Sequence, residues 1–76
     1  MANMNMGTTR NFTASNTTVD SFNMVMVTTT SGAVSIDQAG GNNVVMSAVP
    51  VGVWIPVGNA IRIKSTGTTA AGFLVL

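Results

Sequence analysis

Apolar positions along this chain come in short runs or alternate with polar ones. The runs are punctuated by glycine, proline and asparagine, and no segment holds a three-to-four-residue apolar repeat. That texture predicts strands rather than helices. The first, DSFNMVMVTTT from Asp20 to Thr30, places Phe22, Met24 and Met26 on one face and Asn23, Val25 and Val27 on the other. Both faces are largely apolar, so both are expected to be covered. A turn ending at Gly32 leads into AVSIDQ, with Val34 and Ile36 on one face and Ser35 and Asp37 on the other. AGGN, Ala39 to Asn42, is the strongest hairpin signal, because paired glycines accept the positive φ of tight turns. NVVMSAV follows and is stopped by Pro50 and Gly52; VGVWIPVG is closed by Pro56 and Gly58. AIRIKS alternates, with Ile61 and Ile63 inward and Arg62 and Lys64 outward, and AAGFLVL runs to Leu76 after a turn at Gly67.

About six short strands without a helix predict a small antiparallel β-sandwich or barrel. Residues 1–18 read differently. They are Asn, Thr, Ser and Met with an isolated Phe12. The expected organisation is an extended N-terminal arm over 1–18 and a β-sandwich domain over 19–76. Met4, Met6 and Phe12 are then candidate anchors on a partner surface, and removal of Met1 to Thr13 is expected to leave the β-domain folded. The last strand has neither charge nor proline to protect an edge. It must therefore be central, or be covered by a neighbouring subunit through Phe73, Leu74 and Leu76.

Size and composition sharpen this reading. A chain of 76 residues buries only about 60–65% of its unfolded surface, so its own core is marginal. There is no Cys and no His. Disulfides are excluded and a zinc site is not expected, which leaves oligomerisation as the source of extra stability. Charged residues are 7% of the chain, against roughly 25% in average proteins. A surface of Asn, Ser and Thr suits large protein interfaces, whose centres are poor in charge. Three cations and a net charge of +1 do not make a nucleic-acid face. No basic-then-apolar leader and no bilayer-length apolar helix is seen, so neither secretion nor a membrane partner is expected. Asn11 and Asn16 begin glycosylation-type triplets, which we read as chance in an Asn/Thr-rich segment.

Candidate chemistry is sparse. Serines and threonines have no histidine to activate them. Asp20 and Asp37 are the only acids and could form a glycosidase-type pair only if held about 5 Å apart in a cleft. The expected roles are simpler: Asp20 caps a strand, and Asp37 sits beside Lys64 or Arg62. Met24, Met26 and Met46 read as core filler rather than a soft-metal site. Trp54 reads as a core or interface plug. No catalytic, cofactor-binding or metal-binding residue is assigned, and the chain is not expected to be an enzyme.

The second half carries a resemblance. A Val49-Pro50-x-Gly52 turn precedes a short apolar strand with Ile55 and Pro56. Then come the alternating Arg62 and Lys64, and Gly67-Thr68-Thr69-Ala70 before a final apolar strand. This pattern resembles the closing segment of the head spike base family of tailed phages and gene transfer agents. The segment Ser31–Val49 looks like the hairpin that precedes it, so the resemblance covers about the last two-thirds of the chain; the N-terminal part departs from the family's pattern. The resemblance implies a small β-sandwich that assembles as a ring on a capsid surface and carries a fibre or spike. The implied partners are further copies of the chain (trimer, pentamer or hexamer), the major capsid protein, and a spike or fibre protein. The implied location is the virion, at the capsid surface, after synthesis in the host cytoplasm. The alternatives are a tail or baseplate component on the same module, and a small carbohydrate-binding β-module. Only four aromatic residues and no tyrosine argue against the last.

Overall fold

The structure is a computed structural model, and it describes residues 9–76. Six strands are present: β1 (Arg10–Phe12), β2 (Phe22–Thr30), β3 (Gly32–Gln38), β4 (Asn43–Val49), β5 (Ile55–Ile63) and β6 (Ala71–Val75). They form one sheet in the order β1-β6-β2-β5-β3-β4, with every neighbouring pair antiparallel. Among the described residues there is no helix. The all-β antiparallel expectation holds.

The sheet is rolled. Thr69 and Ala70 N–H, on the approach to β6, both donate to the Ala33 carbonyl of β3 (2.9 and 3.1 Å). Ser15 N–H, beyond β1, donates to the Ile63 carbonyl at the end of β5 (2.8 Å). Gly52 N–H, beyond β4, donates to the Val27 carbonyl of β2 (2.9 Å). Each bond ties together strands that are not neighbours in the sheet, which a flat sheet cannot do. All six strands send side chains into one core: Phe12, Phe22, Val25, Val27, Val34, Ile36, Val49, Ala60, Ile63, Phe73 and Val75, with Ala70 at its rim. β-Branched and aromatic residues dominate it, as befits a pleated interior.

Within the expected arm, Arg10–Phe12 forms strand β1 of the sheet, and residues 1–8 lie outside the described residues. Arg10–Phe12 pairs with β6, Arg10 opposite Val75 and Phe12 opposite Phe73. Phe12 is 6% exposed and meets Phe22 with ring centroids 5.7 Å apart at 55°, a tilted aromatic pair. Arg10 Nε donates to Asp20 Oδ2 (3.0 Å), and its Nη2 donates to the Ser21 carbonyl (3.0 Å). Asp20 is thus an ion-pair partner rather than a strand cap. A boundary at residue 18 would cut through this docking. Met4 and Met6 lie outside the described residues.

Strand faces are shifted by bulges. Asn23 and Met24 N–H both donate to the Leu76 carbonyl (2.9 and 3.1 Å), so two residues of β2 face one of β6. The extra residue changes the parity. Phe22, Val25 and Val27 are buried together, while Met24 and Met26 are only half-buried, contrary to the alternation read from the sequence. The register of β5 against β3 slips at Ile61, so Ala60 rather than Ile61 shares the full burial of Ile63. VGVWIPVG and AIRIKS are not two strands either. From Ile55 on they are one, β5, and Pro56 is tolerated because pairing with β3 begins only at Ala60. The AGGN hairpin stands, with Gly40 and Gly41 at φ 91° and 93°.

Gly72 marks a further slip, between Val27 and Thr30 of β2. Its φ is +78°, and a Cβ there would collide with the Thr28 and Thr29 hydroxyls. Gly72→Ala is therefore expected to cost about 1–3 kcal/mol in urea-induced unfolding; an unchanged midpoint would show that the bulge relaxes freely. Phe12→Ala should cost about 3–5 kcal/mol, as for other buried aromatic truncations. Deletion of Met1 to Thr13 should weaken the domain at least as much, seen as loss of a cooperative melt by circular dichroism. A truncated chain as stable as the full one would restore the arm reading.

Candidate interaction surface

The five charged side chains are nearly all neutralised inside the subunit. Arg10 pairs with Asp20 as described. Arg62 Nε lies 3.1 Å from Asp37 Oδ2, across the β3–β5 register that sets the two residues opposite each other. The Nε proton is not aimed at that oxygen, so this is a coulombic contact rather than a directed hydrogen bond. Arg62 Nη1 donates instead to the Asn16 carbonyl (3.2 Å). Lys64, half-buried, is left with no carboxylate partner among the described residues.

Uncharged side chains hold the loops. Asn16 and Thr66 bond reciprocally: Asn16 Nδ2 donates to Thr66 Oγ1 (2.9 Å) and Thr66 N–H donates to Asn16 Oδ1 (3.2 Å). Thr68 and Thr69 hydroxyls accept from Ser35 and Ala33 N–H (2.9 and 2.8 Å), which closes the roll over β3. Ser35 is the buried polar residue of this seam, and its hydroxyl accepts from Asn43 Nδ2 at 3.1 Å. Gln38 Nε2 donates to the Val57 and Gly58 carbonyls (2.9 and 3.0 Å).

Exposed large apolar residues gather on β4 and just after it: Val44, Val45, Val51 and Val53, with Val19 elsewhere. β4 ends the sheet and pairs only with β3. The sequence left the final strand either central in the sheet or covered by a neighbour. The structure places β6 between β1 and β2, covered by its own chain on both sides. Of the residues proposed to meet neighbours, Phe12 and Phe73 are each 6% exposed and belong to the subunit's own core. Leu74, Leu76 and Trp54 are half-buried. The β4 valines were missed, although consecutive apolar residues at Val44 and Val45, with no charge from Gln38 to Ala60, were visible in the sequence.

A shallow groove lies between Phe22, Asn23, Asn59 and Ile61. It presents amides and backbone, with no nucleophile–base pair. Asp20 and Asp37 each face an arginine rather than each other, so no two-carboxylate site exists among the described residues. No group of three or more metal-ligating side chains is found among them, and no helix is long and apolar enough to cross a membrane. No family model, curated protein or solved structure matches the chain.

The Asp37–Arg62 pair is only about one-fifth exposed on each side. Arg62→Ala leaves Asp37 without its cation and removes the Nη1 hydrogen bond to the Asn16 carbonyl, and is expected to cost about 1–2 kcal/mol at low salt. Lys64→Ala should stay within about 0.5 kcal/mol. Equal effects of the two in urea titrations would mean that the ion pair adds nothing.

Proposed function

We propose that this chain is a structural virion protein of a tailed bacteriophage, which decorates or cements the capsid or forms the base of a head spike or fibre. Its work is adhesion. One observation carries the reading: two ion pairs consume four of the five charged side chains. What remains outside, beside Lys64, is mainly amide, hydroxyl and valine. Such a surface is poorly suited to a freely diffusing monomer, which depends on net charge for solubility. It is well suited to burial against other subunits. The resemblance of the second half to head spike base proteins supplies the particular setting. Further copies of the chain, the major capsid protein and a spike or fibre are the partners in this reading.

A carbohydrate-binding module is supported less. Phe12, Phe22 and Phe73 are buried and Trp54 is half-buried, so no fully exposed aromatic is available to stack on a sugar ring. A tail or baseplate position uses the same adhesive surface, and the experiment below separates it from the head.

Virions of the source should contain the chain in many copies by mass spectrometry, and separated heads rather than tails should retain it. Purified protein should rebind stripped heads. Because the contact is uncharged, affinity should change less than about threefold between 0.05 and 0.5 M salt, a range over which screening would weaken a charge-driven contact severely. Absence from virions overturns the reading. Retention on tails alone moves the protein to the tail.

A further inference from the structure

The free edge of β4 is an unusual one. Natural edge strands are blunted by a charge, a proline, a bulge or a covering loop. From Asn43 to Met46 the sequence is NVVM and has none of these. The irregularity in β4 comes only after this stretch, where Gly32 pairs with Val49 and Val34 with Met46, and where Ala48 adopts φ 57°. The other end is closed by the Gly40–Gly41 turn. What lies between is a regular four-residue segment, Asn43–Met46, with Ser47 and Ala48 forming the bulge beyond it.

The direction of its backbone groups follows from the ladder. Gln38 N–H donates to the Asn42 carbonyl (2.8 Å) at the mouth of the hairpin. Hydrogen-bonded and non-bonded pairs alternate along an antiparallel ladder. Val44 and Met46, opposite Ile36 and Val34, therefore turn their backbone groups toward β3. Those of Asn43 and Val45 turn outward. On the far edge of β3, Lys64 N–H donates to the Ser35 carbonyl, as this alternation requires of the residue opposite Val45.

We propose that β4 pairs with β4 of a second copy of this chain, antiparallel, about a two-fold axis at Val45. In this register Val45 exchanges both backbone hydrogen bonds with Val45 of the second copy. Val44 then lies opposite Met46, and Asn43 meets the start of the bulge at Ser47. The segment is its own complement: valine meets valine on the outer face, valine meets methionine on the core side, and the outer positions are uncharged polar residues. No like charges oppose across the axis, because Asp37, at the near end of β3, is held by Arg62. Two six-stranded sheets become one continuous sheet. The side chain of Val45, 57% exposed in the single subunit, is covered.

This inference deepens the adhesive reading, on which it rests for its setting, and it narrows the choice of assembly. A two-fold contact closes on itself. It fits a hexamer built as three pairs. A trimeric or pentameric ring needs a separate head-to-tail contact, and the β4 pair then joins neighbouring rings. One strand pair is smaller than the roughly 1,200 Å² of a standard stable interface, so the dimer is a reversible, micromolar one.

The test uses the full chain. Val45→Lys places two ammonium groups face to face across the axis, and its exposed position leaves the fold intact, to be checked by circular dichroism. Sedimentation equilibrium should show a reversible dimer for the wild type and a dissociation constant at least about tenfold weaker for Val45→Lys, because directly opposed like charges disfavour strand pairing. Val45→Thr, β-branched and uncharged, should still dimerise. Since the chain has no cysteine, Val45→Cys gives an independent readout. Opposed Cα atoms of a bonded pair lie about 5.5 Å apart, within disulfide range. Mild oxidation should cross-link Val45→Cys much faster than Val53→Cys, which is also exposed (47%) but outside the strand. A wild type that stays monomeric, a Val45→Lys that associates like the wild type, or equal cross-linking of the two cysteine variants overturns the proposal. Rebinding of Val45→Lys to stripped heads is scored separately. Retained binding with lost dimerisation leaves the virion reading standing, and lost binding by a wild type that still dimerises sinks that reading alone.

Discussion

Two neighbouring amides, Asn23 and Met24, converge on the carbonyl of Leu76, and the core is arranged around that bulge. Without the extra residue, a strand beginning with Phe22 inside would carry Met24 and Met26 inside and turn Val25 and Val27 out. With it, the stiff β-branched pair is interior and the flexible methionines are left half-buried on the other face. Val25 and Val27 are wholly inaccessible, as is Val75 of β6, which faces Val25 across the ladder. A core of such residues has few rotamers to lose on folding, an advantage where little surface is available to bury.

The same economy explains the closure of the roll. A sheet of this size cannot form two thick layers, so one sheet must serve as both. Hydrogen bonds from Ser15, Gly52, Thr69 and Ala70 stitch its ends together, and each is made by a segment between strands. Side-chain amides and hydroxyls then fix those segments. This is where the chain's asparagine and threonine are spent. The polar composition, read from the sequence as an interface signal, is partly a structural one: Asn16, Asn43, Thr66, Thr68 and Thr69 all bond within the subunit.

Much of the architecture was legible. Strand character, the absence of helices among the described residues, the Gly40–Gly41 hairpin and the faces of Val34, Ile36 and Ser35 follow from pattern and turn chemistry; Asp37 was expected beside Lys64 or Arg62, and the register selects Arg62. What was not legible has specific causes. A bulge leaves no mark on an apolar run such as FNMVMV, because either parity looks acceptable. A three-residue strand such as β1 has no periodicity, and only the isolated Phe12 hinted that the segment is held. Pro56 suggested a break, since pairing on one side only is a property of the assembled sheet. Which strand lies at the edge of the sheet was not legible for the same reason. Whether AAGFLVL or NVVMSAV ends the sheet depends on strand order, which alternation does not encode.

Strand order also sets a timetable. β6, last of the six in sequence, lies between β1 and β2, and β1 has no other sheet neighbour. The N-terminal strand therefore waits for the C-terminal one. While the chain is being made on a ribosome, Phe12 has no Phe73 to face, and the inner surface of β2 is open along one side. Pairings that join distant parts of a sequence are slow to form, and unpaired apolar strands associate with one another in the meantime. The chain therefore has a period after synthesis in which its interior is exposed to other chains. Its yield as native subunits then depends on how quickly β6 finds its slot.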